Sequence, residues 1–341
     1  MTNTASNIDV NNKLAHACAW LLACATFPLI WVGGLVTTTG AGMAFPDWMN
    51  SDGTFFLFYD WLSSVGDKFV EHGHRLLGAT AGFLSIALVI VVWRTESRGW
   101  LRKFSWVILA GVIMQGVLGG IRVLLDERVL AMIHGCTGPL FFLLCVTMVI
   151  VTSRWWQTCQ PLVEKAPAKN AFRLAIVCTV LAYLQLIVGA AVRHSPHMIG
   201  EAAAVVFRLA VYFHVFLALV IVAHVLLLAW RCLRIRVQRV GGIGLLILVA
   251  AQLCLGVGTW IVKYGIPPWA TSLLGEMTFA NRAEDAMSVQ LITGHVAIGS
   301  LILAVSLAIA LRLARQLDIR WVGLPLASFC VVGTYVVGTE R

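Results

Sequence analysis

The sequence is poor in charge. Only 12% of its 341 residues are Asp, Glu, Lys or Arg, whereas soluble domains carry about 25%. Hydrophobic residues make up 60% of the chain. So few charged side chains cannot cover a surface that faces water, because charged and polar residues supply most of such a surface. The composition therefore excludes an ordinary soluble protein.

Cysteine motifs for metals and disulfides are absent as well. None of the nine cysteines forms a CxxC pair, the spacing typical of zinc and iron–sulfur sites. Seven cysteines lie in apolar stretches, and Cys159 and Cys232 lie in connections that are predicted below to face the cytoplasm. Disulfide scaffolds are typical of small secreted domains. The sequence therefore predicts neither a disulfide framework nor a cysteine-bound metal.

Long apolar runs are what the sequence has in abundance. They recur with lengths of about 20 residues, which an α-helix needs to cross a hydrocarbon core about 30 Å thick. A ninth crossing at residues 321–338 is an open alternative, because this stretch is short and contains Pro325. The predicted fold is an all-α integral membrane protein. Eight spans are predicted, near residues 15–36, 73–93, 104–124, 130–151, 172–192, 209–230, 242–262 and 290–311.

Charge alternates between the connections. The second, fourth and sixth connections and the segment after the eighth span hold most of the Lys and Arg residues, and the other connections hold most of the acids. Basic connections stay in the cytoplasm. We therefore predict a multi-pass protein of the bacterial cytoplasmic membrane with a cytoplasmic N terminus. The net charge of +9 is therefore explained by basic connections on the cytoplasmic side of the bilayer, and it does not indicate binding of nucleic acid.

Four histidines lie at a similar level of the even-numbered spans: His74, His134, His214 and His295. Each falls within the first two turns of its span, so we expect all four near the outer face. Ionisable residues inside membranes usually mark functional sites, because an unpaired polar group in hydrocarbon is costly. Imidazole is a preferred ligand of haem iron, and helical bundles build cofactor sites from facing helices. The pattern predicts haem held between paired histidines.

The order of these histidines divides the chain into two halves. The repeat favours His74 with His134 and His214 with His295, although spacing alone leaves the pairing open. The predicted organisation is a cytoplasmic tail (1–14), a first four-helix half (15–152), a cytoplasmic linker (153–171), a second four-helix half (172–314), and a tail or ninth helix (315–341).

Glutamine and glycine recur in the odd-numbered spans. The first span has Gly33 and Gly34 at the comparable depth, without the glutamine. Small residues let helix backbones approach closely or make room for a flat ligand. Plain helix packing is the alternative interpretation. The repeated pairs, four residues apart, are Gln115 and Gly119, Gln185 and Gly189, and Gln252 and Gly256.

An acid distinguishes the first histidine pair. Glu71 stands three residues before His74, on the same helical face. Such a carboxyl can pass protons during chemistry on a bound molecule. The alternative is an interfacial acid paired with Arg75 or Lys68. The equivalent positions before the other histidines are apolar: Ala131, Val211 and Ile292.

Four arginines near the outer ends of the spans are candidate partners for haem propionates: Arg75, Arg122, Arg193 and Arg208. A guanidinium fork matches the geometry of a carboxylate. Interfacial anchoring is the alternative for each. The other histidines are expected to be structural, with His194 and His197, in a predicted outer loop, the best placed to contact a propionate. The other three are His16, His72 and His224.

A series of motifs resembles the haem A synthase family. They are, in order, GGLVTTTGAGMAFPDW, EHGHRLLG, QGVLGG, IHGCTGPLFF, the histidine of VYFHVF, and ITGHVAIGS. The resemblance covers the first eight spans, and EHGHRLLG followed by QGVLGG is specific. It implies eight helices in two pseudo-symmetric four-helix bundles, a pattern from which a ninth span would depart.

The resemblance also implies a chemistry. Members of the family oxidise the C8 methyl group of haem O to a formyl group, which gives haem A for cytochrome oxidases. Transferred to this chain, it implies that His74 and His134 are axial partners of the substrate haem O, with Glu71 as the catalytic acid. It makes His214 and His295 the ligands of a resident haem b. An electron donor is then required, and the haem O synthase is a further candidate partner.

A dihaem b-type electron-transfer cytochrome is the alternative function. Such a protein binds its haems between paired histidines and leaves them chemically unchanged, so the four histidines fit it equally well. The solitary Glu71 and the order of the motifs favour the enzyme.

Overall fold

The computed structural model describes residues 3–194, 201–265 and 286–319. The possible ninth crossing at 321–338 and His197 lie outside the described residues. The described helices, numbered in chain order, are α1 Asn3–Thr39, α2 Gly66–Thr95, α3 Gly99–Leu125, α4 Arg128–Thr152, α5 Arg154–Thr158, α6 Ala166–His194, α7 Glu201–Arg234, α8 Arg239–Tyr264 and α9 Ala286–Leu317.

Eight of these helices, all except the short α5, are long and apolar enough to cross a membrane. They coincide with the eight predicted spans, so the prediction of an all-α multi-pass membrane protein is confirmed. The apolar segments of these helices differ in how much of them is buried inside the protein. More than half of the apolar segment of α4 is buried, but less than a fifth of that of α3. Helix α3 is therefore mainly exposed to lipid.

The helices extend beyond the apolar runs that predicted them. Helix α7 begins at Glu201 and not near residue 209, so His214 lies about four turns into the helix and not in its first two. His194 is the last residue of α6, and its predicted place in a loop is wrong. Hydropathy marks only the part of a helix that lies in hydrocarbon, whereas backbone hydrogen bonds continue the helix into the polar layer.

Each half of the chain forms a ring of four helices. Helix α1 packs against α2, α2 against α3, α3 against α4, and α4 against α1. Helices α6, α7, α8 and α9 pack in the same cyclic order. The histidine-bearing helices of each ring, α2 with α4 and α7 with α9, therefore stand diagonally across the bundle from one another.

The two rings meet along α1 and α4 on one side and α6 and α9 on the other. Close contact is possible here because Gly34 of α1 lies against Thr293 of α9, where an added Cβ would stand 3.2 Å from the threonine methyl. Trp31 Nε1 also donates a hydrogen bond of 3.2 Å to Gln290 Oε1. Each ring retains its own buried apolar core.

The connection between α1 and α2, residues 40–65, is folded onto one end of the first ring. We call this the histidine end, since all four histidines lie nearer to it than to the opposite end. The connection contains three turns of 3-10 helix and a hairpin of β1 (Asn50–Ser51) and β2 (Thr54–Phe55). Phe45 is fully buried against the rings of Tyr59 and His72. This connection covers the end of the first ring.

The opposite end is held together by arginines and tryptophans. Arg98 forms an ion pair with the buried Glu96 and donates to the carbonyl of Val151. Arg315 of α9 donates to the carbonyl of Trp156 in α5, which fastens the linker between the halves to the second ring. The basic residues that mark this end in the sequence therefore also connect helices.

The predicted orientation can be tested with a matched pair of variants, each with one added cysteine. Leu62 lies in the connection at the histidine end and is 82% exposed, and Val163 lies in the linker at the opposite end and is fully exposed. In spheroplasts, we expect a membrane-impermeant maleimide to label Leu62→Cys at once and Val163→Cys only after permeabilisation. Wild-type protein, with its nine native cysteines, supplies the background. The opposite labelling pattern would place the N terminus outside.

Candidate functional site

The four histidines form two pairs. His74 of α2 faces His134 of α4, and His214 of α7 faces His295 of α9; the ring centroids are 6.3 Å apart in both pairs. The ring planes cross at 88° in the first pair and 65° in the second. Two imidazoles that share a metal ion through bonds of about 2 Å have ring centres roughly 6 Å apart. Each pair therefore has the spacing of two axial ligands.

A glycine of the preceding helix lies against each ring. A side chain at any of these glycines would collide with the imidazole, so the glycines allow the ring to approach the helix backbone. This contact accounts for the glycine repeat of the odd-numbered spans, including the first. The pairs, with the distance from an ideal glycine Cβ to histidine Cε1, are Gly33 and His74 (3.0 Å), Gly119 and His134 (3.3 Å), Gly189 and His214 (3.1 Å), and Gly256 and His295 (3.1 Å).

The Nδ1 atoms of three rings lie beside the preceding helix. Those of His74 and His134 are 3.5 and 3.7 Å from ideal Cβ positions at Gly33 and Gly119, and the backbone of Leu29 and of Gln115 contacts these two rings. Nδ1 of His295 lies 3.2 Å from the carbonyl oxygen of Gln252. A backbone carbonyl at Nδ1 fixes the orientation of an imidazole and leaves Nε2 as the nitrogen that binds a metal ion.

The glutamines of the repeat differ in their contacts. Gln115 donates to the hydroxyl of Thr137 at 2.7 Å, one turn beyond His134. Nε2 of Gln185 lies 3.2 Å from Nε2 of His214 and donates to the His214 carbonyl. Iron bound at this ring nitrogen would replace the first of these contacts. The glutamines thus support the helices that carry the histidines.

Two facing histidines fit haem better than a metal ion that is bound by protein side chains alone. In the described ranges, no group of three or more His, Cys, Asp or Glu residues is placed to hold a metal ion. Haem iron is already bound by its macrocycle and takes axial ligands from the protein, so two facing imidazoles in an apolar bundle suffice. The equal spacing and the glycine contacts in both halves fit this group at both pairs.

Glu71 is buried beside the first pair, with 2% of its surface exposed. Its Oε1 accepts a hydrogen bond of 2.6 Å from Arg75, and its Oε2 accepts one of 3.1 Å from the backbone N–H of Phe45. Lys68, the other expected partner, instead binds Asp52. The acid is therefore an ion-paired carboxylate that also anchors the covering connection.

Arg75 is largely engaged by the protein itself. Besides Glu71, its guanidinium donates to three backbone carbonyls of the connection, those of Phe45, Asp47 and Asn50. A guanidinium has five N–H donors, and these contacts use most of them. Arg75 thus holds the segment 45–50 in place over α2.

The other three arginines lie in different surroundings. Arg122 of α3 donates to the carbonyl of Gly42, and it lies close enough to His74 and His134 for its charge to act on both rings. Arg193 donates to the Gly34 carbonyl and the Thr38 hydroxyl, joining the two halves. Arg208 is exposed on α7. Among the described arginines, Arg122 is the best placed for a propionate at the first pair.

Sequence reasoning missed the role of Trp48. Its ring packs directly on Gly120 of α3, where an added Cβ would stand 2.0 Å from a ring atom. The adjacent glycines of α3 therefore serve two contacts, Gly119 with His134 and Gly120 with Trp48. The doubled glycine of QGVLGG was the available signal, but the partner of the second glycine depends on how residues 40–65 fold.

Comparison with known proteins places this site in a family. Residues 63–273, which span α2 to α8 and three of the four paired histidines, match the profile described as COX15-CtaA, cytochrome oxidase assembly protein. A relative named Heme A synthase, from Symbiobacterium thermophilum, is 30% identical over 188 residues, 53% of this chain and 58% of that protein. The chain thus spans a little over half the length of that relative.

The profile matches more than half of the chain, and it covers the helices that build the first histidine pair and most of the second ring. The chain belongs to the COX15-CtaA family of cytochrome oxidase assembly proteins.

Proposed function

We propose that this protein is a haem A synthase, which oxidises the C8 methyl group of haem O to a formyl group. One observation carries the proposal: the two histidine pairs share the same spacing and glycine contacts, yet among the described residues only the first pair has a buried acid on its helices near the rings, Glu71. Such asymmetry suits one reacting site and one supporting site. The name of the aligned relative supports the same activity.

The second pair, His214 and His295, is assigned to a resident haem b. The positions equivalent to Glu71 on these helices are Val211 and Ile292, which are buried and apolar. When bound there, haem b supplies one-electron redox chemistry. The two imidazoles hold it, and their surroundings contain no group suited to proton transfer at the position of Glu71.

The first pair, His74 and His134, is assigned to the substrate haem O. Oxidation of a methyl group to a formyl group removes hydrogen from the carbon and adds one oxygen atom, so the reaction needs an external oxidant and oxygen source besides the electron donor. The protons released give a carboxylate beside the site a direct use. Glu71 can accept a proton at either oxygen, and Arg75 holds the charged form in place before it does so. Glu71 is therefore the proposed catalytic acid and base.

The connection over the first ring limits the access of water. Its segment 45–50 is tied to α2 through Arg75 and Glu71, and Trp48 closes onto α3 at Gly120. A site closed to water strengthens electrostatic interactions and protects reactive species from side reactions. This cover favours a substrate that arrives from the bilayer.

The proposal has a cellular setting. The protein lies in a bacterial cytoplasmic membrane with its N terminus in the cytoplasm and its histidine end outward, as the charge distribution predicts. Haem O enters from the lipid, an electron donor supports the reaction, and the haem O synthase is a candidate supplier of substrate.

A dihaem electron-transfer cytochrome remains the second candidate. The identical spacing of 6.3 Å in both pairs favours it, because two equivalent haem sites are what such a protein needs. Extraction of pigments from protein produced together with a haem O source distinguishes the two. Formyl-bearing haem supports the synthase, and unaltered haem b at both pairs supports the cytochrome.

Replacement of Glu71 tests its role in catalysis. Glu71→Gln keeps the shape of the side chain but removes the titrating group, and we expect formation of formyl haem to fall by about 100-fold or more, the range of general acid and base catalysis. The haem b spectrum of the second half is expected to remain. Product is measured by mass analysis of extracted haems.

Glu96→Gln is the matched control for this variant. Glu96 is also a buried acid, ion-paired with Arg98, but it lies at the opposite end of α2 from the histidines. We expect this variant to make formyl haem at the wild-type rate per folded molecule. Wild-type turnover by Glu71→Gln would rule out the proposed role, and equal losses in both variants would indicate a structural effect.

Single histidine replacements test the assignment of the two haems. His214→Ala and His295→Ala are expected to abolish the spectrum of the resident haem, because each removes an axial bond. His74→Ala is expected to retain it and to lose bound haem O. His224→Ala is the control, since this ring lies deeper on α7, where its Nδ1 is 2.8 Å from the carbonyl oxygen of Val220. Absorption spectra of purified protein decide, and an unchanged spectrum in His214→Ala would contradict the assignment.

A further inference from the structure

His72 is a buried histidine that belongs to neither facing pair. Its side chain is fully buried, and its Nδ1 lies 3.0 Å from the hydroxyl oxygen of Ser51, which is fully buried as well. Among the described residues, its Nε2 has no hydrogen-bond partner. A buried polar atom without a partner is costly, so an apolar ring would fill the same space at a lower cost. The bond to Ser51 is therefore the feature that requires a histidine at this position.

The ring of His72 supports the connection that covers the first ring of helices. Its centroid lies 4.7 Å from that of Tyr59 and 6.0 Å from that of Phe45, and the planes cross at 46° and 69°. Tilted and edge-to-face ring pairs stabilise a structure beyond the area that they bury. Ser51 belongs to strand β1, so its bond to His72 also fixes the start of the hairpin against α2.

Phe45 connects His72 to the buried acid. Its backbone N–H donates to Oε2 of Glu71 at 3.1 Å, while its fully buried side chain packs on the ring of His72. Glu71 and His72 are consecutive on α2, so their side chains leave the helix about 100° apart. They therefore hold the connection at two points, Phe45 and Ser51, and Arg75 binds the carbonyls between them. The N–H bond to Glu71 thus depends on how His72 holds this segment.

The second ring lacks this support. Alignment of His214 with His74 places Tyr212 at the position of His72 and Val211 at that of Glu71. Tyr212 is 68% exposed, and Val211 is buried and apolar. In the described part of the chain, a buried histidine and a buried acid therefore occur together at one histidine pair and are both missing from the equivalent helix of the other half.

We propose that His72 is a positioning residue for Glu71, which acts by keeping the N–H of Phe45 on the carboxylate. The proposal rests on the proposed function, in which Glu71 passes protons. With Arg75 at Oε1 and Phe45 at Oε2, the carboxylate is held in one orientation. A catalytic group that is already oriented need not be ordered during the reaction, and this raises the rate.

A histidine that only fills space is the competing interpretation, and two variants separate it from the proposal. His72→Phe keeps an aromatic ring and removes the nitrogen that binds Ser51. His72→Asn removes the ring but ends in polar atoms close to the position of Nδ1. If volume is what matters, the phenylalanine variant should be the better one. If the bond to Ser51 matters, the asparagine variant should be the better one.

Hydrogen–deuterium exchange at the amide of Phe45 measures the proposed contact directly. An amide that loses its hydrogen bond exchanges faster, and the measurement on purified full-length protein needs no turnover. We expect exchange to rise about tenfold in His72→Phe and in Ser51→Ala, which removes the same bond from the other side. His72→Asn is expected to stay within about twofold of the wild type, because its hydrogen bond is retained.

Steady-state formation of formyl haem measures the consequence for catalysis. In His72→Phe and Ser51→Ala we expect kcat to fall about fivefold, the order of effect of one hydrogen bond. KM for haem O and the haem b spectrum are expected to stay unchanged, and His72→Asn should retain most of the rate. The double variant Ser51→Ala/His72→Phe should be no slower than the slower single variant, since both substitutions remove one shared bond.

His16→Phe is the matched control. Nδ1 of His16 also lies 3.0 Å from a hydroxyl, that of Thr152, but at the opposite end of the bundle. This variant should leave both the exchange at Phe45 and kcat at the wild-type values.

Three results would overturn the proposal while the proposed function stands. They are unchanged exchange at Phe45 in His72→Phe and Ser51→Ala, faster exchange with wild-type kcat, and a larger loss of rate in His72→Asn than in His72→Phe. If His72→Phe does not fold, the smaller change Ser51→Ala decides by the same two measurements. A wild-type protein that makes no formyl haem would instead remove the proposed function, and with it the role of Glu71 that His72 supports.

Discussion

Contact between an imidazole ring and the bare backbone of a neighbouring helix sets the geometry of both four-helix rings. At each of four places a glycine allows Cε1 of a histidine to come within van der Waals distance of a helix. Any larger residue there would push the ring away from its helix or the helices apart. Because the same contact occurs on both sides of each bundle, the two rings of a pair are brought to the same separation of 6.3 Å in both halves.

This arrangement has an energetic cost, which binding of a ligand offsets. Imidazole rings in an apolar bundle lose their bonds to water, and such a loss is costly. A protein that only packed its helices would have little reason to keep four such groups. Two facing rings with centroids 6.3 Å apart recover that cost when a haem is bound between them.

The two halves differ around a common plan. The first ring has a buried carboxylate, Glu71, and an arginine, Arg75, that ties down a covering connection. The described second ring has Val211 and Ile292 at the positions equivalent to Glu71, and both are buried and apolar. Among the described residues, a buried acid is therefore placed at one histidine pair and not at the other. Under the proposed function, the first pair is the reacting site and the second is the redox site.

Apolar run length and the spacing of histidines determined the eight spans, the all-α class and the candidate pairs, because these depend on the thickness of a bilayer and on helical periodicity. Local sequence could not determine where α7 begins or that His194 ends α6, since hydrogen bonding carries a helix past its apolar part. Only the tertiary structure decided that Trp48 rests on Gly120 and that Glu71 binds the backbone of Phe45. Each of these depends on residues distant in sequence meeting around one bundle, and no pattern within a single helix contains that information.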